Sequence, residues 1–331
     1  MTETAAAEAP EGLALDPAPE GLALDPAKFR DPDVTARGEK RAVVALTRLR
    51  TLWFNAGSLC NITCRNCYMD SSPTNDRLAY LSLDEFRRFI DEIKTENLPT
   101  EEIAFTGGEP FMNRDLPAML TVALERGYRV LVLTNAMSPM GHSRRRLSAL
   151  NEKFGGALSL RVSMDHHTKK HHEEIRGPNT WAPMLEGLKW LAENNFNIAV
   201  AGRARWRENE AASRAAYGEV FARQSIPVDA QDPARLVLFP EMDARLDVPE
   251  ITVSCWEILG VAPETMMCAT SRMVVKRKGA ARPVVVPCTL LPYDPAFEMG
   301  SDLKNSAMVV KLNHPHCARF CVLGGGSCSV E

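Results

Sequence analysis

From Arg48 to about Met242 the chain alternates six times between short apolar stretches that suit strands and longer amphipathic stretches that suit helices. The strand candidates are "RLRTLWFNA" (48–56), "EIAFTGGEP" (102–110), "YRVLVLTN" (128–135), "ALSLRVSMD" (157–165), "FNIAVAGRARW" (196–206) and "ARLVLFPEMD" (234–243). Between them, "SLDEFRRFIDEIKTENLP" opens with Ser82 and Glu85 at capping-box spacing and sets Phe86, Phe89, Ile90 and Ile93 on one helical face. "LPAMLTVALERG", closed by Gly127, residues 143–154, "WAPMLEGLKWLAENN" and residues 208–224 supply further helices. Strands that alternate with helices pair in parallel through βαβ connections. In a barrel built that way, the functional residues stand at the C-terminal ends of the strands.

The flanks read differently. "APEGLALDPAPEGLALDP" (9–26) repeats one nine-residue unit twice and is rich in Pro, Ala and acids, which predicts a disordered extension over residues 1–40. The alternating core then occupies 41–242. Residues 243–331 carry six of the nine cysteines, a hairpin candidate "MVVKRKGAARPVVV" and a glycine-rich tail, and are expected to form a second, smaller, metal-organised region. With 331 residues, 45% of them apolar, the chain can bury a large core. A net charge of −3, from 42 acids and 39 bases, gives no electrostatic reason to expect nucleic acid. No apolar run reaches the roughly 18–20 residues of a membrane helix, and the N-terminus lacks the order of a secretion signal. Cytoplasmic, reduced thiols are therefore expected, with the clustered ones as metal ligands.

"SLCNITCRNCYMDSSP", starting at Ser58, packs three of those thiols into eight residues. Three is one more than a disulfide uses and one fewer than a closed zinc or iron–sulfur site takes. A cubic cluster on such a loop has one iron free for a non-protein ligand. The spacing Cys60-x3-Cys64-x2-Cys67 resembles the signature of the radical S-adenosylmethionine (SAM) enzymes. The resemblance implies a partial (β/α)6 TIM-type barrel of α/β class with a small C-terminal cysteine-rich auxiliary-cluster domain. It also implies a [4Fe-4S] cluster on Cys60, Cys64 and Cys67, with SAM on the fourth iron. Reduction through that cluster cleaves SAM to a 5′-deoxyadenosyl radical.

Other segments carry the same resemblance. "TGGEP" implies that Gly107, Gly108, Glu109 and Pro110 serve the SAM ammonium, glycine letting backbone approach the cofactor. "VLTN" implies Thr134 and Asn135 as pocket walls. "VSMDHHTKKHHEEIRGPNTW" resembles the family segment in which Ser163 and Arg176 meet the SAM carboxylate and Asp165 shares the rim. Arg203 or Arg205 is expected nearby. Asn66 departs from the family's aromatic or apolar residue before the third cysteine; it is expected to keep a backbone contact to adenine and to tune the cluster's surroundings. His167 and His171 stand four apart, a spacing two zinc ligands on a helix could use, against a plain charged helix start. The basic "SRRR" (143–146) is expected to be an exposed helix face, and Trp53, Trp181 and Trp190 core.

The remaining cysteines resemble the Twitch and SPASM extensions of the superfamily. The expectation is one auxiliary [4Fe-4S] cluster on Cys268, Cys288 and two of Cys317, Cys321 and Cys328, with two incomplete clusters or zinc as alternatives. Cys255 reads as a buried thiol without a ligand role. The resulting expectation is an oxidoreductase- or transferase-type radical SAM enzyme that takes hydrogen from a small metabolite or a peptide. It would be fed by a flavodoxin- or ferredoxin-type reductant, with no nucleic acid and no membrane. Since 59 residues precede Cys60 and half read as disordered, a peptide substrate would need a separate presenting protein. A non-catalytic iron–sulfur or zinc carrier is the reading from another class.

Overall fold

The computed structural model describes residues 22–206 and 208–327. Cys328 and residues 9–21 of the N-terminal repeat lie outside these. After β1 (Val43–Val44), the chain runs β2 (Thr51–Asn55), α1 (Leu83–Thr95), β3 (Glu102–Thr106), α2 (Leu116–Glu125) and β4 (Arg129–Thr134). It continues with α3 (Ser138–Gly141), α4 (Arg144–Phe154), β5 (Leu158–Ser163), α5 (Lys169–Arg176), α6 (Trp181–Glu193), β6 (Asn197–Ala204), α7 (Glu210–Arg223) and β7 (Leu236–Pro240). The last elements are α8 (Cys255–Leu259), β8 (Ser271–Val275), β9 (Val284–Val286) and β10 (Val310–Lys311).

The six expected strands, β2 to β7, pair in chain order and all in parallel. β2 is buried along its whole length, as a strand covered on both faces must be. Phe54 projects from it against Phe86 of α1 and Phe105 of β3, with ring centroids 4.6 and 5.8 Å away. The α1 N-terminus carries the capping box: the Ser82 hydroxyl accepts from the Glu85 N–H while the Glu85 carboxylate accepts from the Ser82 N–H. Trp53 is fully buried, and Trp181 and Trp190 pack half-buried on the core.

Two boundaries differ from the sequence-based expectation. The sheet does not end with the barrel strands, because β8 pairs in parallel with the far side of β2 and β9 pairs antiparallel with β8, as the predicted hairpin. The C-terminal region is thus continuous with the barrel sheet, through a long-range pairing that local periodicity does not encode. At the other end, order begins well before residue 40. Ala23 bridges Leu246, Lys28 Nζ lies 2.7 Å from Asp247, and the Phe29 N–H donates to Glu250. Arg41, fully buried, holds the same Glu250 at 2.6 Å, and β1 pairs with β10. The partners that fix residues 22–41 lie more than two hundred positions along the chain.

Candidate active site

The three-cysteine loop leaves the C-terminal end of β2 and lies against the glycines at the end of β3. Gly107 has φ +143°, and a Cβ there would stand 2.5 Å from the Gly57 carbonyl oxygen. One on Gly108 would stand 2.2 Å from the Leu59 carbonyl oxygen. In their place are backbone hydrogen bonds, Gly108 N–H to Gly57 O (2.9 Å) and Glu109 N–H to Leu59 O (3.1 Å). The glycines therefore seat the cysteine loop itself, a reason for them other than approach to a cofactor. The loop is also tied to α5, through Arg65 N–H on Ile175 O at 2.7 Å. After β4, the Asn135 amide donates to Asn61 at 2.8 Å.

A cavity opens over the C-terminal ends of the strands. Cys60, Cys64, Cys67, Gly107 and Gly108 line it. Thr134, Asn135, Ser163, Asp165 and Arg176 line it as well. Glu109 and Pro110 lie behind this wall and are buried. Glu109 accepts from the Thr134 hydroxyl (2.9 Å), from the Asn135 N–H (2.8 Å) and from the Phe111 N–H (3.2 Å). Burial pushes its carboxyl up to about 7, against those hydrogen bonds and the Arg176 charge. Asn66 turns away from the cavity and donates to Glu241 at 2.9 Å.

Asp165 is fully buried between two guanidiniums, Arg176 Nε at 2.7 Å and Arg203 Nε at 3.3 Å. Burial acts to raise its carboxyl, and the two arginines outweigh that and hold it below the usual carboxylate range. One carboxylate against two arginines leaves positive charge available on the cavity wall, which suits a ligand carboxylate. Of the two alternatives, Arg203 is the arginine in the cavity; Arg205 pairs with Glu241 at 2.9 Å. The sequence reading missed Arg161, a buried residue that lines the cavity from within β5. Its signal was a lone charged residue in a strand that otherwise alternates apolar residues with serines. Burial also pushes Cys60 up to about 12 and raises Cys64.

The histidines gather differently from the proposed His167–His171 pair. His166, His167 and Glu208 bring their donor atoms within 4.8 Å of one another, and His171 Nδ1 lies 3.3 Å from His166 Nε2. The Thr168 N–H donates to His166 Nδ1 at 3.0 Å, which leaves the His166 proton on Nε2, facing Glu208 at 3.0 Å. That geometry is a hydrogen-bonded rim in which His166, His167 and Glu208, rather than His167 and His171, lie close enough together to share a metal ion.

Cys268, Cys288, Cys317 and Cys321 converge on a second, apolar cavity. Cys268 precedes β8 and Cys288 follows β9, so closing the hairpin brings them together. Cys317 and Cys321 come from one wide π-helical turn, Cys317–Val322. Cys255 is not part of this cavity; its sulfur receives the Thr252 N–H at 3.3 Å. Between the two cysteine sets runs an open cleft. Cys64, Cys67 and Tyr68 line it on the barrel side, and Leu290, Leu291 and His316 on the other.

Residues 54–203 match the radical SAM superfamily model. That segment is a radical SAM domain. The chain is 33% identical over 151 residues to the GTP 3',8-cyclase of Tolumonas auensis, covering 45% of itself and 43% of that protein. It is 27% identical over 143 residues to the antilisterial bacteriocin subtilosin biosynthesis protein AlbA of Bacillus subtilis, 43% of this chain and 30% of that one. The matches thus span less than half of either relative. Among solved structures, native anSMEcpe with bound AdoMet superimposes with a TM-score of 0.56 at 14% identity, covering 79% of this chain and 81% of that one. Streptococcus suis SuiB bound to S-adenosylmethionine gives 0.55 at 11% identity, covering 76% and 63%. These two establish the fold. Among the described residues no helix is long and apolar enough to cross a membrane.

The donor sets suit the family's cofactors. Three thiols on one loop, beside a cavity with spare guanidinium charge and a buried carboxyl, fit a cluster with one iron open to an amino acid's amine and carboxylate. Four thiols around an apolar cavity fit a closed cluster.

Proposed function

We propose that this protein is a radical SAM enzyme of the Twitch/SPASM-like kind. On this reading Cys60, Cys64 and Cys67 hold the SAM-binding [4Fe-4S] cluster. Cys268, Cys288, Cys317 and Cys321 hold an auxiliary one. The bound cofactors supply one-electron cleavage of SAM and a radical able to take hydrogen from carbon. The chain's own residues bind and orient. Arg176 and Ser163 meet the SAM carboxylate, with Asp165 and Arg203 fixing the Arg176 guanidinium. Glu109, buried behind Gly108 and held in place by Thr134 and Asn135, supports the wall against which the ammonium lies.

The observation that carries the proposal is the shared walling of the cleft. Cys64, Cys67 and Tyr68 belong to both the SAM-side cavity and the cleft; Leu290, Leu291 and His316 belong to both the cleft and the four-cysteine cavity. A substrate there lies between the two metal centres, open to hydrogen abstraction on one side and oxidation on the other. We take the substrate to be a peptide. Exposed Asp70 and Arg245 make the cleft's rim polar and open, which suits a chain passing through rather than an enclosed metabolite. SuiB, similar in fold, has been solved bound to its precursor peptide SuiA. A flavodoxin- or ferredoxin-type protein is the proposed electron donor.

Anaerobic reconstitution tests the proposal. Wild-type protein should bind about eight iron and eight sulfide per chain, as two cubane clusters would, and release 5′-deoxyadenosine from SAM under reduction. Changing Cys60, Cys64 and Cys67 together to Ala should halve the iron and abolish cleavage. Changing Cys268 and Cys288 should halve the iron and leave cleavage in place. About four iron in the wild type would remove the auxiliary cluster from the proposal, and reduced, iron-loaded protein that leaves SAM intact would overturn it.

A further inference from the structure

β8 carries an arginine into the interior of the C-terminal region. Arg272 is fully buried. Its guanidinium donates only to backbone carbonyls: Ser306 O from Nε (2.7 Å), Cys268 O and Ser271 O from Nη1 (2.6 and 2.8 Å) and Met308 O from Nη2 (3.1 Å). Carbonyl oxygens satisfy the donors but do not cancel the charge. Arg41, likewise fully buried, has a carboxylate, Glu250, at 2.6 Å. Arg272 has none among the described residues. A buried cation without a counter-ion costs several kcal/mol, and here burial lowers the guanidinium pKa to about 10, with only the Cys268 and Cys288 sulfurs acting to raise it. The 2.6 Å hydrogen bond from Nη1 to the Cys268 carbonyl sets Arg272 directly beside the closed cavity that Cys268 and Cys288 line.

We propose that Arg272 is the counter-cation of the auxiliary cluster and makes that cluster easier to reduce. The inference rests on the reading that Cys268, Cys288, Cys317 and Cys321 hold a [4Fe-4S] cluster. Four thiolates on the oxidised core give a dianion, and one added electron gives a trianion, with no proton taken up. A fixed positive charge next to two of the ligands stabilises the trianion more than the dianion, which raises the potential. Arg272 is a positioning and tuning residue and touches no substrate.

The test is a potentiometric titration followed by electron paramagnetic resonance. It uses full-length protein with Cys60, Cys64 and Cys67 changed to Ala, so that only the auxiliary cluster titrates. In that background Arg272→Gln should bind the same iron, yet its ratio of reduced to oxidised cluster at the parent's midpoint should fall at least about tenfold. Arg272→Lys, which keeps the charge, should stay near the parent. Thermal melting supplies a second readout. Arg272→Gln should lose more stability in iron-loaded protein than in iron-free protein, whereas a purely structural arginine costs the same in both. An unchanged midpoint with full iron, or equal losses in both melts, overturns the proposal. Failure of the background protein to bind about four iron would instead fault the ligand assignment beneath it.

Discussion

Gly108 shows how a motif residue can matter for a reason other than the expected one. Its missing Cβ makes room for Leu59, one residue before the first cysteine. Gly108→Ala should push the cysteine loop off β3 and lower iron binding at the three-cysteine site, leaving the C-terminal iron intact. Full iron content in the variant would show that the loop can yield. Glu109 adds a pH signature to iron-free protein. Below its unfolded value of 4.5 the carboxyl is neutral in both states. From there to about 7 the unfolded chain ionises while the folded protein stays protonated. The Glu109 contribution to stability therefore falls as pH rises, by up to about 1.4 kcal/mol per pH unit, and levels off above the folded value, while the buried imidazoles of His172, His314 and His316, held below their usual value, act in the opposite sense. Glu109→Gln should remove that contribution, so that stability rises more steeply with pH than in the parent in denaturation series run across the window. An unchanged slope would show that Glu109 does not titrate there. Both residues were legible as site residues; that they act through the loop backbone and through a buried hydrogen-bond cluster was not, because neither packing is local.

At the scale of elements, the signals that succeeded were those carried within one segment. The α1 capping box and its apolar face satisfy local backbone and side-chain demands, and both stand in the structure as read. Ser82→Ala removes the hydroxyl that accepts the Glu85 N–H, and should cost about 1 kcal/mol in chemical denaturation. No loss would mean that water replaces the cap at no cost. The π-helical turn at Cys317–Val322 was not anticipated. Cys317 and Cys321 are four apart on it, and both line one cavity. Nothing in the local composition distinguishes that turn from an α-helical one.

The whole molecule differs most from a barrel with a detachable appendage. β8 covers the edge of β2 that the barrel strands leave open, and residues 22–41 bind the segment around Asp247 and Glu250. A chain ending at residue 242 should therefore expose the β2 edge, and an unpaired edge strand invites aggregation. We expect it to be insoluble, or soluble without cooperative melting or iron. A soluble, cooperatively melting, iron-binding 1–242 fragment would show that the barrel stands alone.

The sequence by itself determined what depends on short-range order. The six strand–helix alternations follow from side-chain periodicity. The three-cysteine loop, the glycine turn and the arginine that ends α5 follow from residue type and spacing. Only the tertiary structure decided which distant groups meet. It gave Asp165 its second arginine, turned Asn66 to Glu241, placed Cys268 and Cys288 beside Cys317 and Cys321, and left Arg272 buried without a carboxylate among the described residues. The physical reason is one of range. Hydrophobic periodicity and capping act within a few residues, whereas sheet register and the pairing of buried charges are set by packing between segments far apart in the chain.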